Sequence, residues 1–548
     1  MSKPKIAIIG AGPTGLASIK QCIADNLDPV CFEATSYTAG LWRYTEISEE
    51  NNDPHSSCYN SVVINTSKEI VGELFWQLML KICKDDRLRF SARAVNLRQN
   101  LYPGTWPTGN RMSFSDFPIP KDWPYYLHNK LVSKYFDMYT EKFQLIPHIK
   151  FNTTVLNLTM LPDKRWNVRY VTKGKEETEQ VFDYVMVCTG HHRYPRLPNY
   201  QGMDQFQGKQ IHSHFYRVPS DFANKRVVVV GCGNSGMDIS VELSGVASQV
   251  YVCTRRGTLP WILPRLLRGK PIDHYNTRFY TTWIPSFIKD YFFKRTVKTT
   301  IGPSPIPDLD PKTNPSDSHP TLKTNFYDCL SNGTIIVKPN ISRLNKDNSI
   351  EFLDNTKLEN IDAIIYATGY KIEFPFLDSK IVNGGDEVLK MFDEEYRENL
   401  VWLYKRMFPP KYPNIAFLGL VQLIGAIFPL SEMQARYITS QITGHISSNP
   451  PISEMYKEIQ EHQASLQKRY YTSARHTIQG DYFQELDNLA KVLGCYPYSL
   501  QTIWKYGINM YWKILFGYRL FGRQSWDGAA DAINIYNGCQ PSTSKKNH

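Results

Sequence analysis

The sequence predicts an α/β fold built on two Rossmann-like dinucleotide-binding domains. The first observation is the stretch KIAIIGAGPTGLASIKQCIADNLDPVCFEA from Lys5, which reads as strand, glycine turn, helix and strand. The second is RVVVVGCGNSGMDIS from Arg226, which repeats the pattern roughly 220 residues later. The third is the apolar run before each turn, typical of a strand buried on both faces of a parallel sheet.

The first glycine turn carries Gly10, Gly12 and Gly15 at GxGxxG spacing. The first glycine permits a tight turn, the second lets a pyrophosphate approach the backbone, and the third lets the helix pack on the strand. The helix beginning near Pro13 offers free N–H groups to phosphates. Glu33 follows about twenty residues on, where a carboxylate can accept ribose hydroxyls. We therefore predict a bound dinucleotide, with a plain structural bend as the alternative.

The second glycine turn places Gly231, Gly233 and Gly236 before another helix. Its next strand ends in Arg255 and Arg256, where the first unit has Glu33. An arginine there can pair with a 2′-phosphate, which favours NADPH over NADH. Solvated surface arginines are the alternative. The opposite charges at the two ribose positions indicate FAD in the first site and NADPH in the second.

Length and composition narrow the class of protein. A chain of 548 residues allows two or three domains. Its formal charge of +11 fits nucleic acid, an anionic membrane or phosphate-bearing cofactors. The basic residues are dispersed and no nucleic-acid module accompanies them, so we expect no nucleic-acid partner. The ten cysteines form no CxxC pair, so the sequence supports neither a metal site nor a dithiol redox centre.

Other stretches predict a helix, a β-meander and a buried core segment. Apolar residues recur at helical spacing over 125–143, and 151–188 reads as a β-meander followed by the proline-bounded crossing HHRYPRLPN. The apolar run 415–430 contains Gln422 and is shorter than the ~20 residues of a membrane-spanning helix, so we predict buried core. The chain enters the first strand within a few residues, which leaves no room for a cleaved secretory signal.

Two stretches bear on membranes. Aromatic and basic residues interleave over 504–526, which suits an interfacial membrane contact or, about equally, a core helix. The tail KKNH resembles an endoplasmic reticulum retrieval signal.

Asn65 follows an apolar run and opens a polar turn, where asparagine is common for structural reasons alone. Residues 71–111 then interrupt what otherwise reads as one continuous segment. The interruption is either a functional insertion beside Asn65 or an error in the gene model, and we favour the latter slightly.

A set of motifs in order resembles the flavin-containing monooxygenases of animals over nearly the whole chain. The most specific is FxGxxxHxxxY before the second glycine turn, filled by Phe206, Gly208, His212 and Tyr216. The others are GAGPTG at Gly10, GLW at Gly40, NTSKE at Asn65, SDFPIP at Ser115, CTGHH at Cys188, GCGNSG at Gly231, YATGY at Tyr366 and HTIQGDY at His476.

The resemblance implies an FAD- and NADPH-dependent monooxygenase acting through a C4a-hydroperoxyflavin that needs a dry, apolar site. It makes Asn65 the active-site residue, since an amide can donate to the flavin–peroxide system without a titratable proton. It also implies an NADPH domain inserted in a discontinuous FAD domain, which we divide as 1–193, 194–329 and 330–548. The further cofactor-binding residues that it implies are Gly40, Leu41, Trp42, Thr66, Asn234, Ser235, Thr368 and Gly369.

Three departures from the family accompany this resemblance. Position 39 is Ala where the family usually has Gly, the C-terminal membrane-spanning helix of vertebrate members is absent, and 71–111 has no counterpart. The expected location is therefore the cytosolic face of the endoplasmic reticulum membrane or the cytoplasm. A homo-oligomer stays open.

Several functions remain open within this class. The leading prediction is N- or S-oxygenation of lipophilic xenobiotic or metabolic amines and sulfides. Baeyer–Villiger oxygenation of ketones is the alternative, because the same hydroperoxide can attack a carbonyl. An uncoupled NADPH oxidase or redox sensor is a further one. A flavin disulfide reductase would need a suitably spaced cysteine pair, which the sequence lacks.

Overall fold

The computed structural model describes residues 3–48, 52–67, 112–120, 122–255, 257–267, 269–276, 278–300, 302, 304–317, 319–323, 325–470, 473–474 and 476–496. Four features of the sequence lie outside these residues: the segment 71–111, Arg256, the aromatic and basic stretch 504–526, and the C-terminal KKNH.

The first sheet is built around the strand that precedes the first glycine turn. Ile6, Ala7 and Ile8 on this strand are fully buried, as expected for a strand covered on both faces. All five strands pair in parallel. Their spatial order is Ile415–Phe417, Tyr184–Val187, Lys5–Ile9, Asp28–Phe32 and Ile149–Lys150.

The second sheet repeats this arrangement around the strand that precedes the second glycine turn. Val227, Val228 and Val229 are fully buried, and again every pairing is parallel. The spatial order is Ile335–Lys338, Gln249–Cys253, Arg226–Val230, Ala363–Tyr366 and Lys209–His212.

The order of strands along the chain confirms that the second unit is inserted in the first. The first sheet takes its strands from before residue 188 and from 415–417, whereas the second takes all of its strands from between them. The boundary expected at residue 329 is too early. Ile335–Lys338 and Ala363–Tyr366 follow it and belong to the second sheet, where they extend the parallel ladder with buried apolar residues.

The chain crosses from the first sheet to the second and later returns, and these two crossing segments pair with each other. Tyr194–Pro195, within the crossing that the sequence predicts, pairs antiparallel with Tyr370–Lys371 on the returning crossing. The Arg196 N–H also donates to the Gly369 carbonyl at 3.0 Å. This short ladder lies directly after the second sheet's strand Ala363–Tyr366.

The remaining strands form small sheets at the edges of the two units. Two are three-stranded and antiparallel: Thr153–Met160, Trp166–Thr172 and Glu177–Phe182, then Ile341–Leu344, Ile350–Phe352 and Lys357–Leu358. Three are further pairs: Ile262–Leu263 with Thr321–Leu322, Leu266–Leu267 with Lys270–Pro271, and Gln422–Leu423 with Gln479–Gly480.

The described residues also form helices. The helix predicted over 125–143 is present as Asn129–Lys142. The run 415–430 is buried core, because it forms a sheet strand and the start of the buried helix Ile427–Ile442. The other helices among the described residues are Pro13–Ala24, Asn234–Leu243, Arg278–Trp283, Ser286–Thr300, Phe326–Ser331, Lys380–Asn383, Asp386–Leu389, Glu394–Arg397, Ile452–Arg469 and Tyr482–Val492. Among the described residues, no helix combines the length and apolar character that crossing a membrane requires.

Candidate active site

In the first glycine turn, the fold requires glycine at positions 10 and 15 but not at position 12. Gly10 has φ +97°, and a Cβ there would lie 2.9 Å from the Cys188 carbonyl oxygen. A Cβ on Gly15 would lie 1.9 Å from the Gly10 carbonyl oxygen. A Cβ on Gly12 would meet only the Gly40 Cα, at 3.8 Å. Gly12 therefore leaves open space at the start of helix Pro13–Ala24, where the sequence predicts a pyrophosphate.

Glu33 lies where the sequence predicts it, directly after the strand Asp28–Phe32. Its carboxylate accepts the Ala11 N–H at 2.7 Å and the Thr35 N–H at 2.9 Å. The side chain is only 7% exposed. Glu33 thus holds the glycine turn in shape, and its role toward a ribose stays a prediction.

The GLW motif forms a short 3-10 turn over the first glycine turn. Gly40 has φ +49°, and a Cβ on it would lie 3.1 Å from the Gly12 Cα. Ala39 has φ +77°, a left-handed conformation that favours glycine. The departure at Ala39 therefore falls on a position where the backbone itself favours glycine. Trp42 packs edge-on against Phe428, with ring centroids 6.3 Å apart.

The second glycine turn has the same geometry as the first. Gly231 has φ +111°, and a Cβ on it would lie 2.5 Å from the Ala367 carbonyl oxygen. A Cβ on Gly236 would lie 2.0 Å from the Gly231 carbonyl oxygen, whereas one on Gly233 would meet no atom within 4 Å. In both turns, the protein around the middle glycine leaves room for a side chain. Both turns therefore fit a ligand phosphate lying against the backbone.

A cavity of about 860 Å³ lies between the two units. It is lined by the GLW motif, by Asn65, by the second glycine turn and by the returning crossing. The predicted site residues in its lining are Leu41, Trp42, Asn65, Gly231, Gly233, Asn234, Ser235, Arg255, Thr368 and Gly369. The predicted residues outside this lining, as far as the chain is described, are Gly10, Gly12, Gly15, Glu33, Gly40, Thr66 and Gly236.

Asn65 is held by a hairpin from the other unit. The Asn65 Oδ1 accepts a hydrogen bond from the Arg265 guanidinium at 3.2 Å. Two residues later, the Ser67 N–H and hydroxyl both donate to Asp273, at 2.9 and 2.8 Å. Thr66, between them, is partly buried. Arg265 and Asp273 lie about 200 residues from this turn and follow no recognisable spacing, so no sequence motif predicts either residue.

Asp238 connects this region with the second glycine turn, because it lies on the helix Asn234–Leu243 that the turn opens. It accepts hydrogen bonds from Lys323 at 2.7 Å and from the Tyr59 hydroxyl at 3.1 Å. Arg265 lies 3.9 Å away from the same carboxylate. Burial and the neighbouring Asp238 hold the pKa of Tyr59 well above its usual range, so the phenol stays a neutral donor.

Arg255 lines the cavity, and its role toward a 2′-phosphate stays a prediction. Its guanidinium pairs with Glu395 at 2.6 Å, and both side chains are substantially exposed. Arg196 makes a similar pair with Glu398 at 2.6 Å. The short helix Glu394–Arg397 and the residue after it therefore present two carboxylates to two cavity arginines.

The FxGxxxHxxxY string joins the two units. His212 ends the edge strand of the second sheet, and its Nδ1 accepts the His214 N–H at 3.0 Å. Tyr216 donates to Glu242 at 2.8 Å. Arg217 follows directly and donates to the Thr45 and Ser56 carbonyls of the first unit, at 2.7 and 3.0 Å. The string and the Arg217 that follows it therefore form an anchoring segment between the units.

The thiols near the two glycine turns are poor nucleophiles. Burial raises the pKa of Cys188 and of Cys232 to about 12. The described cysteines are all free thiols. In addition, no three His, Cys, Asp or Glu side chains gather as a metal site within the described ranges. Dithiol chemistry at this cavity therefore has no support.

Two glycine turns in two parallel sheets, the second of them lining a cavity with an amide and an arginine in its wall, define a flavin- and nicotinamide-dependent oxidoreductase of the two-Rossmann class. The chain matches the family described as flavin-binding monooxygenase-like over residues 3–75 and 89–539. It belongs to that family. The match runs through 71–75 and 89–111, so within the segment 71–111, predicted from the sequence to have no counterpart, only 76–88 is unmatched.

Comparison with known proteins agrees with this membership. The chain is 36% identical to rabbit (Oryctolagus cuniculus) flavin-containing monooxygenase 5 over 552 residues, covering 97% of this chain and 92% of that protein. Its fold resembles S-allyl-L-cysteine S-oxygenase from Allium sativum, with TM-score 0.61, 23% identity and coverage of 98% and 99%. It also resembles NADP⁺-bound cyclohexanone monooxygenase from Rhodococcus sp. Phi1, with TM-score 0.57, 16% identity and coverage of 90% and 98%. The protein is thus a flavin-dependent monooxygenase that uses FAD and NADPH.

Proposed function

We propose that this protein uses NADPH and O₂ to oxygenate soft nucleophilic nitrogen or sulfur atoms of lipophilic small molecules in the cavity between its two units. The observation that carries the proposal is the convergence of Asn65 and the second glycine turn on one cavity. The overall reaction consumes one NADPH, one proton and one O₂, and yields NADP⁺, water and the oxygenated substrate.

We assign the two cofactors to the two glycine turns, whose middle glycines leave room for a phosphate. Gly12, with Glu33 and Trp42, would hold FAD, and Gly233, with Arg255, would hold NADPH. When bound, the flavin supplies the electron transfer and the activation of O₂, so the protein has to provide positioning and a protected environment. Asn65 contributes an uncharged amide, which can donate hydrogen bonds without releasing a proton.

The apolar part of the cavity supports a lipophilic substrate. Its wall includes Leu41, Val62, Ile64, Ile372 and Ile478. Such side chains exclude water, which strengthens hydrogen bonds inside the site and limits side reactions of reactive oxygen. An uncharged amine or thioether can enter this environment at small desolvation cost, whereas an ion cannot.

A product assay tests the proposal. The purified, FAD-loaded protein is supplied with NADPH, air, and a thioether, a tertiary amine or a cyclic ketone. We expect sulfoxide and N-oxide. A lactone without either product would instead support Baeyer–Villiger oxygenation, the activity class suggested by the fold similarity to cyclohexanone monooxygenase. NADPH consumption that yields only hydrogen peroxide would support an oxidase.

We further propose a peripheral location on the cytosolic face of the endoplasmic reticulum membrane. The support is the aromatic and basic stretch 504–526 and the tail KKNH. Aromatic insertion and basic attraction to anionic lipid would act together, so binding should weaken as salt rises. Flotation with anionic vesicles at low salt tests this, and absence of vesicle-bound protein would contradict it.

A further inference from the structure

Arg265 determines which end of the Asn65 amide faces the cavity. A guanidinium carries donors and no acceptor, so the Asn65 atom 3.2 Å from it must be the carbonyl oxygen. The absence of an acceptor on the guanidinium fixes this orientation of the amide. The Asn65 NH₂ group must therefore point away from Arg265.

The NH₂ group is available to a ligand. Asn65 lines the cavity, and its Nδ2 makes no hydrogen bond to any of the residues that the structure describes. The neighbouring Ser67 is fixed by two hydrogen bonds to Asp273. The turn is thus held from two sides, with one donor group left for the cavity.

Arg265 is itself held in place. Its backbone carbonyl accepts the Tyr126 hydroxyl at 2.5 Å and the Ile272 N–H at 2.9 Å. Its guanidinium lies 3.9 Å from Asp238, and its side chain is 21% exposed. Asp238 in turn is fixed by Lys323 and Tyr59. Arg265 therefore has a fixed main chain and a fixed counter-charge on the helix that the second glycine turn opens.

We propose that Arg265 is a positioning residue that locks the Asn65 amide with its NH₂ group toward the cavity, as a donor to an oxygen atom of the flavin and nicotinamide cofactors or of their bound oxygen. The inference rests on the proposed function, because it assigns the donor that Asn65 uses there. It also couples the two units, since Arg265 and Asp238 belong to the inserted unit and Asn65 to the first. A donor fixed before the reaction costs no reorganisation when charge develops on an acceptor.

The first test compares Asn65→Asp in two backgrounds by thermal unfolding, a measurement that needs no turnover. Aspartate has nearly the shape of asparagine but presents two acceptors, so Arg265 should pair with it. We expect the unfolding midpoint of Asn65→Asp to equal or exceed that of the unmodified protein. In an Arg265→Met background the same substitution should lower the midpoint, because the carboxylate then loses its partner. Equal shifts in both backgrounds would show that the two side chains do not interact and would overturn the proposal.

The second test measures oxygenated product formed per NADPH consumed. Asn65→Asp should lower this ratio at least tenfold while FAD content and the rate of flavin reduction stay near normal, because the donor is gone and the Arg265 contact remains. A normal ratio of product to NADPH in Asn65→Asp would show that an acceptor faces the cofactors, which would contradict the proposal.

Arg265→Met should lower the same ratio with FAD retained, and Arg265→Lys, which keeps a positively charged donor group, should restore part of it. The double variant Asn65→Ala, Arg265→Met should be no worse than Asn65→Ala alone, since the arginine acts through the asparagine. A normal ratio in Arg265→Met would refute the positioning role. If the unmodified protein forms no oxygenated product, the proposed function fails, while the unfolding comparison still decides whether Arg265 orients residue 65.

Discussion

The Arg255 guanidinium pairs with the Glu395 carboxylate at 2.6 Å at the cavity where the sequence predicts the 2′-phosphate of NADPH. Glu395 lies on the short helix Glu394–Arg397, which follows the returning crossing. An exposed ion pair of this kind contributes roughly 0–1 kcal/mol. A phosphate that makes charge-assisted hydrogen bonds to Arg255 gains about 1.5–3 kcal/mol, so the phosphate should displace Glu395.

The first prediction follows from this competition. Arg255→Ala should raise the dissociation constant for NADP⁺ roughly 10- to 100-fold, the equivalent of about 1.5–3 kcal/mol, and leave that for NAD⁺ nearly unchanged. Glu395→Gln should lower the NADP⁺ constant by at most about fivefold. Isothermal titration calorimetry with both nucleotides measures these changes.

Glu398 supplies the matched control, because it pairs with Arg196 over the same distance of 2.6 Å. Glu398→Gln should not change the preference for NADP⁺ over NAD⁺. If Arg255→Ala weakened the binding of NADP⁺ and NAD⁺ equally, Arg255 would not recognise the 2′-phosphate.

The second prediction concerns the middle glycines. The surrounding protein leaves room for a Cβ at Gly12 and at Gly233. Gly12→Ala should therefore fold with a normal circular dichroism spectrum but purify with little FAD, because the methyl group occupies the space of the phosphate. Gly233→Ala should retain FAD and bind NADP⁺ weakly.

Gly15→Ala is the contrasting variant, since its Cβ would lie 1.9 Å from the Gly10 carbonyl oxygen. It should be unstable or insoluble whether or not FAD is supplied. A fully yellow Gly12→Ala protein would show that the first glycine turn is not the FAD pyrophosphate site.

The third prediction is a pH dependence of stability from His212. Burial, with His214 nearby, lowers the pKa of His212 from 6.5 to about 4. Between these values the unfolded chain binds a proton that the folded protein does not, so folding stability falls as pH drops from about 6.5 to about 4. The loss from this residue is at most about 3 kcal/mol.

His212→Asn can keep the hydrogen bond from the His214 N–H, which the His212 Nδ1 accepts at 3.0 Å, without the titration. Its thermal unfolding midpoint should fall less than that of the unmodified protein between pH 7.5 and pH 5.5. The same fall in both proteins would mean that His212 does not contribute to the pH dependence.

The fourth prediction concerns Asn65→Ala. FAD content and NADPH-dependent flavin reduction should remain near normal, while oxygenated product falls roughly 100-fold, the usual effect of removing one donor to developing charge. Hydrogen peroxide should replace the product. Asn199 lines the same cavity, and Asn199→Ala should behave as the unmodified protein. Loss of FAD together with activity in Asn65→Ala would indicate a structural role instead.

Much of the architecture could be predicted from local sequence. The two glycine turns, the strands before them and the helices after them follow from short-range rules on buried apolar runs and glycine spacing. The domain boundary at 329 was wrong because the strands Ile335–Lys338 and Ala363–Tyr366 pair with partners far away in the sequence. A short apolar strand does not show by itself which sheet it joins.

The supporting residues of the site were hidden for a similar reason. Asn65 could be predicted from its motif, but the Arg265 that orients it and the Asp273 that anchors its turn come from a hairpin of the other unit. Likewise, Glu395 pairs with Arg255 across 140 positions of the chain. Such contacts depend on the packing of two units, which no local pattern reports.

Labelled oxygen tests the central claim most directly. The FAD-loaded protein is supplied with NADPH, a thioether and ¹⁸O₂, and the sulfoxide is examined by mass spectrometry while NADPH consumption is followed. A monooxygenase transfers one atom of O₂ to the substrate, so we predict close to one ¹⁸O-labelled sulfoxide for each NADPH consumed. NADPH consumption with hydrogen peroxide as the only oxygen product, or a sulfoxide without the label, would contradict this account.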